Sequence, residues 1–210
     1  MFEHGAGEVL RRYREPRDTE REVAAMEQAR AHGYPVPAAR ALSDTDIVMD
    51  RVSGPTMLDD LARRPWSAPA HASTLARLHR QLHAIPAPSW LPCPFGDGDS
   101  LLHLDLHPDN VMLGPAGPVV IDWPNVARGP WPVDVTHTWI VIACSVPTTG
   151  RYRQAATRAG GRLFVALFLR QYDRAALVPH VARVGKWRAS HRILPETERE
   201  AIARMIDRYG

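Results

Sequence analysis

Two stretches of this 210-residue chain carry the side chains best suited to chemistry: Leu101-Leu102-His103-Leu104-Asp105-Leu106-His107-Pro108-Asp109-Asn110 and Val119-Val120-Ile121-Asp122-Trp123. An apolar approach leads to an acid, a proline-containing loop and an amide, and a second acid then ends another apolar run. Carboxylate and amide oxygens are hard ligands of the kind Mg2+ takes where phosphates are handled. The pattern therefore points to phosphoryl transfer. His103, Asp105 and His107 also alternate along one face of an extended segment, a geometry that zinc accepts. That metal-hydrolase reading has no further His/Cys cluster to complete its shell, and it leaves Asn110 and Asp122 without a part.

These residues need elements to hold them. Val111 to Leu113, the turn Gly114 to Gly117 and Val119 to Ile121 form a β-hairpin, which puts Asn110 and Asp122 at its two open ends. Upstream, Val9 to Arg14 reads as a strand leaving the turn Gly5-Ala6-Gly7. That turn lacks both the third glycine of a dinucleotide loop and the Gly-Lys-Ser/Thr ending of a Walker loop, so a hairpin is expected. Thr19-Glu20-Arg21-Glu22 has capping-box spacing and starts a helix with Val23, Met26 and Ala29 on one side, ending near Gly33. Ala38 to Leu42 and Ile47 to Val52 are two further strands. Beyond Gly54-Pro55, Thr56 to Arg64 and Ser67 to Ile85 are helices. The second carries His79 and His83 at i,i+4 with no third ligand close in sequence, so these read as packing or surface histidines. Pro86 to Gly98 is a connection tucked down by Trp90 and Phe95. Helices follow over Val133 to Val146, Arg151 to Arg174, Ala176 to Ser190 and Pro195 to Tyr209, the last with proline at its start.

Composition narrows the function classes. With 45% apolar and 23% charged residues the chain is ordinary for a globular protein. Net charge is only +3, and Lys186 is the sole lysine among 26 basic residues. A coding bias toward arginine explains that balance, so charge gives no ground for a nucleic-acid partner. Cys93 and Cys144 are too few for a disulfide framework. The apolar runs Trp139 to Val146 and Leu163 to Leu169 fall far short of the roughly 20 residues of a membrane span, and no targeting segment is visible. The expectation is a cytoplasmic protein with no membrane partner and an undetermined oligomeric state.

At its central loop the sequence resembles the aminoglycoside phosphotransferase and choline kinase-like family, small-molecule relatives of the protein kinases. His103-Leu104-Asp105-Leu106-His107-Pro108-Asp109-Asn110 keeps the His-x-Asp-(four residues)-Asn spacing of the kinase catalytic loop, and Ile121-Asp122-Trp123 stands where the metal-binding aspartate follows. The resemblance implies an α+β, two-lobed protein-kinase-like fold. Its N-lobe is small, β-rich and incomplete, over residues 1–52, and its C-lobe is larger and mainly helical, over 53–210. It implies an ATP-dependent transfer to the hydroxyl of a small-molecule acceptor, with GTP also allowed. Asp105 would orient the acceptor and take its proton, while Asn110 and Asp122 hold Mg2+. His103 is placed in the catalytic loop, as its brace rather than its proton carrier. Asp134 fits the acid that begins the following helix and braces the loop, and it equally suits the helix dipole. Glu22 matches the helix glutamate that orients a phosphate-binding cation, with a role as partner of Thr19 in the capping box as the alternative. The strand and hinge Ile47 to Val52 would meet adenine, with Asp50 and Val52 at the contact.

Two departures stand out. The expected Val-Leu-Lys is Val9-Leu10-Arg11 here, so Arg11 is the candidate cation with Arg12 as fallback; arginine is not an equivalent of lysine. Relatives also carry a strand and a nucleotide-covering loop before this point, which the chain is expected to lack. An impaired pseudokinase or nucleotide-binding regulatory module is therefore the alternative reading. A protein kinase is weaker still, because Asp122-Trp123-Pro124 lacks the glycine of the usual metal loop. Ten basic residues and one acid, Asp173, lie between Arg151 and Arg192, which disfavours polycationic acceptors.

Overall fold

The computed structural model describes residues 2–3, 5, 7–145, 151–191 and 194–209, with the backbone alone for 2 and 151–158. An antiparallel sheet in the order β1-β2-β4-β3 opens the chain, built from Phe2–Glu3 (β1), Glu8–Arg12 (β2), Ala39–Ala41 (β3) and Asp46–Asp50 (β4). Gly5 and Gly7 take positive φ, 71° and 85°, in the β1–β2 turn. The glycines thus serve a hairpin; Ala6 between them lies outside the described residues. The short β1 was not read from the sequence, which offered too few residues to show alternation.

Alternation along β2 sends Val9 and Arg11 to one face and Glu8, Leu10 and Arg12 to the other. Val9 and Tyr13 pack with Ile47 and Met49 of β4 and with Val23 of the first helix. That helix, α1 (Thr19–Ala31), is capped by Asp18, which accepts from the Arg21 amide at 2.9 Å. The capping box expected on Thr19 and Glu22 does not form. The Asp18 carboxylate one residue earlier takes the orphan amide, and the Thr19 hydroxyl donates instead to the Ser43 carbonyl at 2.5 Å. Glu22 is thereby released to face the sheet. The opposite flank of α1, with Ala25, Met26 and Ala29, joins Tyr34, Val36, Leu75, Leu78 and Leu102 in the larger core. One helix therefore ties the sheet to the helical part of the molecule.

After β4 the chain crosses the strand Val111–Gly114 (β6) at Gly54, whose φ is 133°. A Cβ there would sit 2.1 Å from the Leu113 carbonyl oxygen, so only glycine permits the crossing. Thr56 and Asp59 form a capping box on α2 (Met57–Arg63), and α3 (Ala68–His83) follows. In the connection beyond, Phe95 is buried, but Trp90 is 51% exposed and does not tuck it down. Two small hairpin-like pairs then support the central loop. β5 (Ser100–Leu102) pairs with β8 (Ala127–Gly129), a strand the sequence did not betray, and β6 (Val111–Gly114) pairs with β7 (Gly117–Val120).

The remaining helices are α4 (Trp131–Cys144), α5 (Arg151–Leu169), α6 (Arg174–Leu177), α7 (Val181–Ala189) and α8 (Glu196–Tyr209). The single helix expected over 176–190 is broken by a 3-10 turn at Val178–His180. Pro179 has no amide for the helical ladder there. Val146, the expected end of α4, lies outside the described residues. Among the described residues no helix is long and apolar enough to cross a membrane.

Candidate active site

The central loop is fixed by what lies on either side of Asp105. Leu102, Leu104 and Leu106 are all buried, as is His103. With its neighbours sunk in the core, Asp105 is turned outward, its side chain 19% exposed. Leu104 takes φ 55°, a conformation costly for a branched side chain. Asp134 at the start of α4 holds it there. Its Oδ1 accepts from the Leu104 amide at 2.7 Å and its Oδ2 from the His103 amide at 3.2 Å. Thr138, one turn on, donates to the Leu106 carbonyl at 2.6 Å. So α4 grips the loop at three successive points.

Asp134 also receives His83 Nε2 at 2.9 Å, with His79 Nδ1 at 3.5 Å. The third partner missing from the local sequence thus arrives from 51 residues away. Both histidines belong to the brace, and His79 Nε2 lies 3.0 Å from the Thr138 hydroxyl. Burial alone would raise the Asp134 carboxyl, but the facing imidazoles of His79 and His83 hold it well below the usual carboxylate range.

The β6–β7 hairpin joins this loop at its open end. Ile121 donates its amide to the Asn110 carbonyl at 3.0 Å, while His103 Nε2 contacts the Ile121 carbonyl at 3.1 Å. The His103 ring rests 4.8 Å from that of Trp123, which is fully buried. Desolvation lowers the His103 pKa and keeps its ring neutral. His103 therefore links loop and hairpin through the carbonyl next to Asp122. Asp122 itself has φ 68°.

Asn110 gives its amide protons to the Asp105 carbonyl at 2.9 Å and carboxylate at 3.3 Å. That orientation leaves the Asn110 side-chain carbonyl available. At Asp105 Oδ1, His107 Nε2 approaches to 3.5 Å and Arg188 Nη1 of α7 to 3.4 Å. Burial acts to raise the Asp105 carboxyl, yet His107, then His137 and His103, pull it down to about 2. Asp105 is a carboxylate throughout the neutral range.

The other half of the site comes from the sheet. Arg11 Nη2 lies 2.5 Å from Asp122 Oδ1, and Nη1 lies 3.9 Å from Glu22. Arg12 points away, paired with Asp46 at 2.8 Å on the outer face. Tyr13 donates to both Glu22 oxygens, at 3.0 and 2.8 Å. Burial raises the Glu22 carboxyl against the pull of Tyr13 and Arg11. Burial also opposes the Arg11 charge, but Asp122, Tyr13 and Glu22 together more than offset it and leave the guanidinium pKa raised. Asp50 and Val52 stand outside this network. Asp50 is exposed, its amide spent on the Ala38 carbonyl at 2.9 Å, and Val52 sits beside Gly114.

The residues that sequence reasoning missed are Tyr13, His137 and Arg188. His137 is completely buried, neither ring nitrogen has a partner among the described residues, and desolvation lowers its pKa to about 3. The excess of basic residues between Arg151 and Arg192 was the one signal for Arg188, without saying which of them would reach Asp105. Among those ten, the side chains of Arg151, Arg153, Arg158 and Arg192 lie outside the described residues.

The arrangement can hold a hard divalent cation between oxygen ligands and bring an ionised carboxylate to a hydroxyl. Comparison with known proteins bears on that chemistry. Among solved structures, the macrolide 2'-phosphotransferase of Brachybacterium faecium is 18% identical over 95% of this chain and 84% of that one, with a TM-score of 0.50. An amicoumacin kinase solved with AMP-PNP and Ca2+ is 14% identical, covering 96% and 81%, with a TM-score of 0.49. An aminoglycoside-3'-phosphotransferase of type VIII is 18% identical, covering 90% and 79%, also at 0.49. No curated protein sequence matches significantly. The fold is α+β and kinase-like. The model of the phosphotransferase enzyme family matches residues 53–178, a span that contains the Asp105 loop, the hairpin and Asp134 and exceeds half the sequence, so the chain belongs to that family.

Proposed function

We propose that the chain is an ATP-dependent small-molecule kinase that moves the γ-phosphoryl group to an acceptor hydroxyl. The observation that carries this reading is the joining of Asp105, Asn110 and Asp122 by one loop and one hairpin, with both ends stitched at Ile121. Mg2+ fits the donor set. The Asn110 carbonyl is left free by its amide contacts, and Asp122 Oδ1 is buried with the Arg11 ion pair as its only partner among the described residues. Both are the oxygen donors that this hard ion prefers. When bound, Mg2+ supplies charge that offsets the build-up on the transferring phosphoryl oxygens.

The remaining work falls to the protein. Asp105, ionised and held by Asn110, His107 and Arg188, receives the acceptor hydroxyl and orients its lone pair. With a carboxyl pKa of about 2 it is a weak base. It accepts the proton as the hydroxyl oxygen bonds to the γ-phosphorus and the bond to the departing nucleoside diphosphate breaks, rather than before, which suits a loose transition state. Arg11, aligned by Glu22, contacts the nucleotide phosphates in place of a lysine. Asp134 and His103 position the loop without touching reacting atoms. Residues 1–52 supply the nucleotide side, with Asp50 and Val52 at the adenine edge, and 53–210 the metal and acceptor side. The unpaired Cys93 and Cys144 accord with a cytoplasmic setting.

In the site itself, the pseudokinase reading draws on the arginine in the lysine position. A nucleotide-consumption screen across aminoglycosides, amino alcohols, hydroxy acids, sugars and nucleosides separates the two. Acceptor-dependent consumption supports the kinase; Mg–nucleotide binding without consumption on any acceptor supports the pseudokinase.

A further inference from the structure

We propose that Arg188 selects an acceptor bearing an oxyanion, a carboxylate or a phosphate, beside the hydroxyl that is phosphorylated. The inference rests on Asp105 being the residue that receives that hydroxyl. Whatever group neighbours the hydroxyl must then lie against the side chains around Asp105 Oδ1.

Arg188 is the cation there. Its Nε and Nη2 face Glu198 Oε1 at 3.4 and 3.1 Å, and its Nη1 faces Asp105 Oδ1 at 3.4 Å. Glu198 on α8 is 7% exposed and holds the far edge of the guanidinium, so the planar group presents its Nη1 end to the site. The contact to Asp105 is long for a charge-assisted hydrogen bond, which ordinarily closes to about 2.7–2.9 Å. Nη1 carries two protons, and a second oxygen can be received beside Asp105.

A second observation comes from His137. Its ring is completely buried, has no partner on either nitrogen among the described residues, and lies within the electrostatic reach of Asp105 and Arg188 and against the Trp187 ring of α7 at 5.5 Å. Such a group is expensive to leave unpaired. A neutral imidazole offers one donor and one acceptor to a polar ligand.

The charge pattern excludes the opposite choice. Binding ammonium groups requires carboxylates without cation partners, and Glu198 is already paired with Arg188. Asp173, the one acid between Arg151 and Arg192, caps α6 through the Ala175 amide at 2.9 Å. Arg183 is likewise committed, to the Pro94 and Phe95 carbonyls. A polycationic acceptor would thus bring like charge against Arg188 with no uncommitted acid on α6 or α7 to receive it.

The test uses the full chain with Mg2+ and a nucleotide, and four probes of similar size: glycerate, glycerol 3-phosphate, glycerol and ethanolamine. Binding is measured by calorimetry with a non-hydrolysable nucleotide, and turnover by nucleotide consumption. Glycerate or glycerol 3-phosphate is expected to exceed glycerol and ethanolamine by about tenfold in affinity and in kcat/KM, the factor of one charge-assisted contact. The better of the two anions identifies a carboxylate or a phosphate acceptor. Arg188→Met should abolish the preference. Arg188→Lys, which keeps charge without the fork, should retain part of it and serves where the methionine variant does not fold.

Equal or better use of ethanolamine or glycerol overturns the proposal, as does failure of both anions to bind. A uniform loss on every probe in Arg188→Met also overturns it, by assigning the arginine to the phosphoryl group or the fold. Anion binding with no consumption of nucleotide leaves the Arg188 site standing and removes the kinase reading. Consumption confined to ethanolamine does the reverse.

Discussion

Arg11 and Asp122 form one ion pair, with Nη2 2.5 Å from Oδ1, so the cation of β2 grips the acid proposed to hold a metal. Any divalent ion that binds Asp122 must share it with, or draw it from, that guanidinium. Arg11→Ala is therefore expected to weaken Mg–nucleotide binding by about 10–100-fold, the range of one or two charge-assisted contacts. Arg12→Ala should change it less than about twofold, because an exposed surface pair carries little. Calorimetric titration of both variants checks the assignment; equal losses would mean that β2 presents the wrong residue to the cleft.

Asp134 accepts from two consecutive loop amides and from His83 while fully buried. Asp134→Ala should cost about 3–5 kcal/mol, as for breaking a buried ionic network, and should lower the urea midpoint accordingly. Asp134→Asn keeps one acceptor oxygen, and an intermediate midpoint is expected. A midpoint unmoved by alanine would show that the loop holds Leu104 at φ 55° without α4.

Stability should fall on mild acidification. The His137 pKa drops from 6.5 to about 3 in the folded protein through desolvation, and His79 and His103 shift in the same direction. Between the two His137 values the unfolded chain binds a proton that the folded chain does not. Its contribution is thus complete above pH 6.5 and decays as pH falls toward 3, at about 1.4 kcal/mol per pH unit. Asp105 and Asp134, depressed likewise, lose theirs only as pH falls below the ordinary carboxylate value near 4. Urea midpoints from pH 7 to 4.5 should decline, and more gently in His137→Phe. Parallel slopes in the two proteins would contradict the buried neutral state.

Gly54→Ala tests the crossing over β6. Its φ of 133° and the 2.1 Å approach of a Cβ to the Leu113 carbonyl make a cost of about 2 kcal/mol or more the expected result. Thermal denaturation gives the answer directly, and an unchanged melting temperature would mean the crossing can shift.

What the sequence disclosed follows from range. The β6–β7 hairpin was readable because its strands, turn and flanking ligands sit within a dozen residues. The path of α1 was readable from the spacing of Val23, Met26 and Ala29, but its cap was misplaced by one residue, since Asp18 and Thr19 are both good caps and only Ser43 decides between them. Asp134 meeting His79 and His83, and Arg188 meeting Asp105 across 83 residues, are products of helix packing that no local pattern encodes. β8 is three residues long and owes its pairing to β5, so its own sequence shows no alternation. The choice between Arg11 and Arg12 needed the side of the sheet that α1 covers.

The most direct measurement is single-turnover phosphoryl transfer by Asp105→Asn, with Mg–nucleotide affinity measured on the same sample. The substitution removes the charge proposed to receive the acceptor proton and keeps the Asn110 and Asp122 oxygens. The predicted result is transfer slowed by about 10²–10⁴-fold with affinity within about twofold of the parent chain. Transfer at the parent rate would contradict the account, since the proton of the acceptor hydroxyl would then be leaving by another route.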